Sequence, residues 1–295
     1  MTAALKQDAT ASSASRPELV FTGLNAAPSW RSIALISDLH LGAQAPRTTQ
    51  AFLTWLHGPA READALFILG DLFEAWIGDD LLEPSARSIA PADAACAQDI
   101  AAALRAYTDA DNDAHTETGR ALFVQHGNRD FLLGARFAQA TGAQLLPDPL
   151  VLTFQNERLL LTHGDQLCIA DTAYQQFRTT VRNPQWQRQV LAQPLAARMQ
   201  QALAMRAASQ AAQSRPENWA DADPQEAQRW LAEADCTWMI HGHTHRPRNH
   251  WGGGLLRQVL SDWDCDGAHG DRPRSQALWL IASDRGLEVG SRSCP

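Results

Sequence analysis

The chain has 295 residues, 45% hydrophobic and 20% charged, with a net charge of −8 at pH 7. That length and balance fit an ordinary globular protein with a sizeable core, and no apolar run approaches the roughly 18–20 residues of a membrane span. The acidic balance argues against nucleic-acid binding, and five scattered cysteines without a C-x-x-C pair point to a reduced, cytoplasmic chain rather than a disulfide framework.

Residues 1–30 are rich in Ala, Ser and Thr, with little periodicity and no apolar h-region. They are expected to form a flexible tail rather than a secretory signal. From Arg31 onward, short apolar runs of strand length stand at 32–37, 65–69, 121–125, 158–162 and 237–240, with helical patterns at 48–56, 93–107 and 131–140. Strand patterns return at 255–260 and 277–282. This alternation predicts an α/β fold with largely parallel pairing.

The stretch 172–213 breaks the rhythm and favours helix throughout, with Trp186, Val190, Leu191, Leu195, Met199, Leu203 and Met205 spaced at threes and fours with slips. Six arginines (Arg178, Arg182, Arg188, Arg198, Arg206 and Arg215) lie between 172 and 216, with no Asp or Glu. A basic helical segment in an acidic chain predicts a lid, 168–225, inserted into a core made of 31–167 and 226–295.

Each of the first five apolar runs leads into a polar cluster: Asp38-Leu39-His40, Gly70-Asp71, Gly127-Asn128-Arg129-Asp130, His163-Gly164-Asp165 and Gly242-His243-Thr244-His245. Open α/β sheets gather their ligands beyond the carboxyl ends of strands. Brought to one edge, Asp38, His40, Asp71, Asn128, His163, His243 and His245 offer three oxygen and four imidazole donors. Seven donors exceed the needs of one ion and suit two, with a bridging carboxylate, most simply Asp71. Imidazole and hard oxygen without sulfur favour Mn²⁺ or Fe, with Zn²⁺ the alternative, so two Mn²⁺ per chain are expected. Ions about 3.5–4 Å apart can activate water and clamp the oxygens of an in-line displacement at phosphorus. D-x-H or G-D alone is a weak signal; five such clusters in this order are specific.

The order D-x-H, G-D, G-N, H-G and G-H-x-H resembles the calcineurin-like metallophosphoesterases, over residues 32 to about 290. The resemblance implies a four-layer αββα sandwich with two metals at its mouth, here with an inserted helical cap. ISDLHLG, ADALFILGDLFEAWIGDD, HGNRDFLLG, LLTHGDQLC and MIHGHTHRP further resemble the UDP-2,3-diacylglucosamine hydrolases of lipid A biosynthesis. That implies hydrolysis of a UDP-linked diacyl sugar to UMP and a diacylglucosamine 1-phosphate, by an enzyme peripheral to the cytoplasmic face of the inner membrane. It also implies that Asp38, His40, Asp71 and His245 hold one metal, and Asp71, Asn128, His163 and His243 the other. Asp71, Asn128, Arg129 and His243 are then catalytic, with substrate contacts at Asn128, Arg129, Asp171, Ser209 and His243. Gln213 falls where the family has a lid Asn, and Arg215-Pro216 where it has a Lys.

Arg129 bears on the reaction independently. Most metallophosphoesterases have a histidine after the G-N pair, placed to protonate a poor leaving group. An arginine is a permanent cation and no general acid at neutral pH, but its fork suits phosphate oxygens. A phosphate leaving group, with a second pKa of about 6, needs no such acid. Arg129 therefore fits pyrophosphate cleavage better than alkyl phosphomonoester cleavage, unless it pairs with Asp130. The lid's apolar residues are expected to line an acyl trough or simply to pack the lid on the core. Its arginines are expected to meet the UDP charge or an anionic membrane surface.

Overall fold

The computed structural model describes residues 19–109, 119–213, 221–267 and 273–293, with backbone alone for 208–213. In chain order the first six strands are β1 (Thr22–Asn25), β2 (Ser32–Ile36), β3 (Ala65–Leu69), β4 (Ala121–Gln125), β5 (Gln144–Leu146) and β6 (Leu150–Phe154). The others are β7 (Glu157–Thr162), β8 (Trp238–His241), β9 (Arg248–Gly252), β10 (Leu255–Val259), β11 (Gln276–Ser283) and β12 (Gly286–Ser293). They form two six-stranded sheets, ordered β1-β6-β7-β8-β10-β9 and β12-β11-β2-β3-β4-β5. Pairing is mixed rather than largely parallel: β6–β7, β9–β10, β11–β12 and β2–β11 are antiparallel.

The central runs are continuously apolar because both of their faces are covered. On β2 and β3, Ile33, Leu35, Ala65, Phe67 and Leu69 face the core between the sheets. Their neighbours Ala34, Ile36, Leu66 and Ile68 face a second core, under α1 (Pro46–His57), α2 (Pro91–Thr108) and α3 (Ala135–Thr141). A third core packs Leu160 and Met239 against Ala227, Trp230 and Leu231 of α7 (Pro224–Glu233). Three cores separate four layers, helix–sheet–sheet–helix, as predicted.

The segment predicted as a lid comprises α4 (Thr172–Val181), α5 (Pro184–Leu191) and α6 (Leu195–Gln213). Asp171 and Asn183 cap α4 and α5 by accepting from Tyr174 N and from Gln185 and Trp186 N, as short polar N-cap side chains do. The excursion leaves the core at Leu167 and returns at Asp223, whose N–H donates to Leu167 O at 2.8 Å.

The tail expected over 1–30 runs too far. β1 pairs in parallel with β6, and the Trp30 ring meets Phe67 and Phe123 edge-on at 6.4 and 5.8 Å. Residues 1–18 lie outside the described residues. A four-residue strand, Thr22-Gly-Leu-Asn25, is too short to carry a period.

Candidate metal centre

All seven predicted donors converge where the strands of both sheets end. Asp38 and Asp71 are 0% and 1% exposed, at the ends of β2 and β3. Asp38 accepts His243 N–H at 3.0 and 2.9 Å on its two oxygens, and the Ser37 hydroxyl at 2.6 Å. Asp71 sends Oδ2 to within 3.7 Å of His40 Nε2 and Oδ1 to within 3.8 Å of His163 Nε2. Asn128 Oδ1 lies 2.9 Å from both His163 Nε2 and His243 Nδ1. His40 and His245 face each other, Nε2 to Nε2, at 3.2 Å.

The loops are bent in a way the sequence does not announce. Asp38, His40, Asp71, His243 and His245 have φ of 55, 50, 53, 65 and 52°, a region that costs a non-glycine residue of order 1–3 kcal/mol. Five of the seven donors thus sit on strained backbone, held by the strands beneath. Two glycines permit the close approach. A Cβ on Gly127 would fall 2.0 Å from Asp71 Oδ1, and one on Gly242 2.1 Å from Asp38 Oδ2.

The donors fit divalent ions. Three imidazoles turn Nε2 inward; His163 Nδ1 is hydrogen-bonded to Leu69 O at 2.9 Å, while His40 Nδ1 and His245 Nδ1 face the carboxylates of Glu74 and Asp262 at 3.1 and 3.6 Å. A carbonyl can only accept, so the His163 bond puts a proton on Nδ1 and leaves Nε2 to face the centre, the usual second-sphere pattern of metal-binding histidine. Two sets of three carboxylate and imidazole atoms lie close enough to share an ion: Asp38, His40 and His245, and Asp38, Asp71 and His163. Asp38 is common to both sets, whereas the sequence favours Asp71 as the bridge. Both Asp38 oxygens accept the His243 N–H, and Asp71 accepts the Arg129 N–H on Oδ1.

The electrostatics call for added positive charge. Burial alone would raise the Asp38 carboxyl, but the hydrogen bond and charge of His245, with the charges of His163 and His40, hold it far below the usual range. Burial raises Asp71, aided by Asp130 and Asp38 and opposed by His163 and His40. Burial would lower His163, yet Asp71, Asp38, Asp165 and Asp148 bring it to about 9.

Arg129 donates its backbone N–H to Asp71 Oδ1 at 2.8 Å, and its Nε is buried without a hydrogen-bond partner. The pairing with Asp130 considered from sequence is not made, because Asp130 accepts Leu72 N and Gly127 N at 2.8 and 2.7 Å. Asp171 is the N-cap of α4. Ser209 and Gln213 lie on α6, where only the backbone is described.

Several carboxylates around the site had no partner assigned from sequence. Asp165 accepts Tyr174 OH at 2.5 Å and Arg178 Nε at 2.8 Å, fastening α4 beside His163. Asp79 accepts the α3 N-terminal N–H groups of Arg136 and Phe137, and Asp80 binds Arg198. Acid–acid proximity in G-D-D was the available signal, but nothing local names the partners. Most arginines of this helical segment are engaged within the protein. Arg178, Arg198 and Arg206 pair with core carboxylates, and Arg182 donates to Gly127 O at 2.9 Å. Arg188 is exposed, and Arg215 lies outside the described residues.

His241, two residues before the donor His243, is 0% exposed. Its Nδ1–H donates to Gly242 O at 2.9 Å and its Nε2 accepts Arg257 at 3.1 Å. Burial and the Arg257 charge lower it to about 4. The unfolded chain, near 6.5, then binds the extra proton first, so stability falls as pH drops from about 6.5 to 4, by on the order of 3 kcal/mol. In urea melts of metal-free protein, His241→Gln should lose correspondingly less over that window; equal slopes would contradict the assignment.

The profile of the calcineurin-like phosphoesterases matches residues 31–247. Fold and site together define a divalent-metal-dependent hydrolase of that class. A UDP-2,3-diacylglucosamine hydrolase of Bordetella parapertussis (strain 12822) is 45% identical over 86% of this chain and 92% of its own length. Those of Serratia proteamaculans and Xanthomonas oryzae pv. oryzae (strain PXO99A) are 45% identical over 79% and 77% of this chain, and 91% and 90% of theirs. The chain belongs to the UDP-2,3-diacylglucosamine hydrolase family.

Proposed function

We propose that the protein hydrolyses the pyrophosphate of UDP-2,3-diacylglucosamine, giving UMP and 2,3-diacylglucosamine 1-phosphate. The observation that carries this is an open apolar cleft beside the metal centre, with a volume of about 80 Å³. Phe73, Trp76 and Ile77 of the core and Met199, Ala202 and Leu203 of α6 line it. A nucleotide pyrophosphatase has no use for such a space, whereas an acyl chain does. Trp186, Val190 and Leu195 instead pack on the core.

Residues 168–225 act as a lid over a core of 31–167 and 226–295. Asp38, His40, Asp71 and His245 would hold one Mn²⁺, and Asp71, Asn128, His163 and His243 the other. Bound there, the ions would activate water and neutralise charge at phosphorus. Arg129 grips the phosphate oxygens, and Asn128 and His243 orient the group attacked. Asp171, Ser209 and Gln213 contact the substrate from the lid.

Exposed Phe177, Leu191 and Leu203, with exposed Arg188, suit peripheral contact with an anionic inner leaflet. Among the described residues no helix is long and apolar enough to cross a membrane.

The test is Mn²⁺-dependent release of UMP, comparing the diacylated UDP-sugar with the same sugar lacking acyl chains and with ADP-ribose. The acylated substrate should be strongly preferred; equal turnover of all three would favour a general nucleotide pyrophosphatase. Filling the cavity by Ala202→Trp should lower kcat/KM about 10–200-fold for the acylated substrate alone. An equal loss on the deacylated sugar would remove the cavity from the argument.

A further inference from the structure

The Glu74 carboxylate joins two parts of the molecule that are far apart in sequence. Its Oε2 lies 3.1 Å from His40 Nδ1, and its Oε1 lies 3.0 Å from Arg206 Nε on α6. The backbone beneath it is fixed, since Glu74 N–H donates to Leu41 O at 3.0 Å and Leu41 bridges Phe73. Glu74 and Arg206 also form part of the wall of the apolar cavity.

The other two inward-facing imidazoles are steadied by the core. His163 rests on a strand carbonyl, Leu69 O, and His245 faces Asp262, which accepts from Arg274 at 2.6 Å. Of these three histidines, His40 has the outer partner that the lid also grips.

We propose that Glu74 is a positioning residue coupling lid helix α6 to His40. Arg206 holds the carboxylate in place, the carboxylate faces His40 Nδ1 as its charge partner, and Nε2 is thereby aimed into the metal centre. Docking of α6 over the cavity and cation binding at the His40 side then strengthen each other, by the same factor in both directions. The inference rests on the reading of His40 as a metal ligand.

Calorimetric titration of the metal-free, full-length protein with Mn²⁺ tests it without recourse to activity. Glu74→Gln, nearly isosteric, should weaken one binding event about 10–100-fold, the range for loss of an outer-sphere partner. Arg206→Gln should weaken the same event about three- to tenfold, and should add nothing in the Glu74→Gln background. Mn²⁺ binding by Glu74→Gln that matches the wild type overturns the coupling, as does an Arg206→Gln loss of equal size in both backgrounds. Arg206 is about one-third exposed and tolerates replacement, so its single variant decides the matter if Glu74→Gln fails to fold; unchanged Mn²⁺ affinity there overturns the proposal.

His40→Asn separates the two layers of the argument. If it loses a binding event while Glu74→Gln does not, the coupling fails and the metal centre stands. If His40→Asn binds both ions normally, both readings fail.

Discussion

Asp71→Asn is expected to abolish turnover, by at least about a thousandfold, because loss of metal charge stabilisation costs several kcal/mol and each 1.36 kcal/mol is a factor of ten. Asp71 stands between the two halves of the centre, one oxygen toward His40 and the other toward His163. Removing its charge should drop bound Mn²⁺ below two per chain, and saturating Mn²⁺ should not restore activity. The metal-free variant should melt no lower than the wild type, because burial and the neighbouring Asp130 and Asp38 already disfavour the Asp71 charge. Full activity at high Mn²⁺ would assign the bridge to Asp38, the carboxylate common to both ligand sets.

Arg129→Ala should lower kcat/KM by about 10²–10³-fold while leaving bound Mn²⁺ unchanged, as expected when one preorganised donor to developing charge is removed. The backbone N–H of Arg129 supports Asp71, and that bond survives side-chain truncation. Its guanidinium is not engaged by Asp130, whose oxygens are taken by backbone N–H groups. Arg129→Lys should recover part of the rate, since a point charge replaces a fork. Metal analysis alongside steady-state kinetics distinguishes the outcomes; a metal-depleted Arg129→Ala would make Arg129 a support for the centre rather than a substrate contact.

The convergence of the seven donors was legible because each follows an apolar run that both sheets bury, so the polar break after it marks a strand end. β2, β3, β4, β7 and β8 were placed to within a residue or so for the same reason. β9 and β12 were not, because they are polar edge strands exposed along most of their length. What sequence could not supply was pairing over distance. Arg198 and Asp80 are 118 positions apart, and the charge of the arginines between 172 and 216 gives no hint that acids elsewhere in the chain await them. Backbone hand was equally hidden: histidine at 40, 243 and 245 and aspartate at 38 and 71 carry no local signal for the left-handed region.

The single hydrogen bond from Asp223 to Leu167 has a consequence for how this family can diversify. The excursion departs and rejoins at one point, and between those ends Arg178, Arg182, Arg198 and Arg206 tie it to Asp165, Gly127 O, Asp80 and Glu74. Doubling the length of such a loop costs only about 0.6 kcal/mol in closure entropy. Residues between those two positions can therefore be lengthened or shortened away from these four contacts, whereas an exchange at any of them reaches the loops that carry the donors.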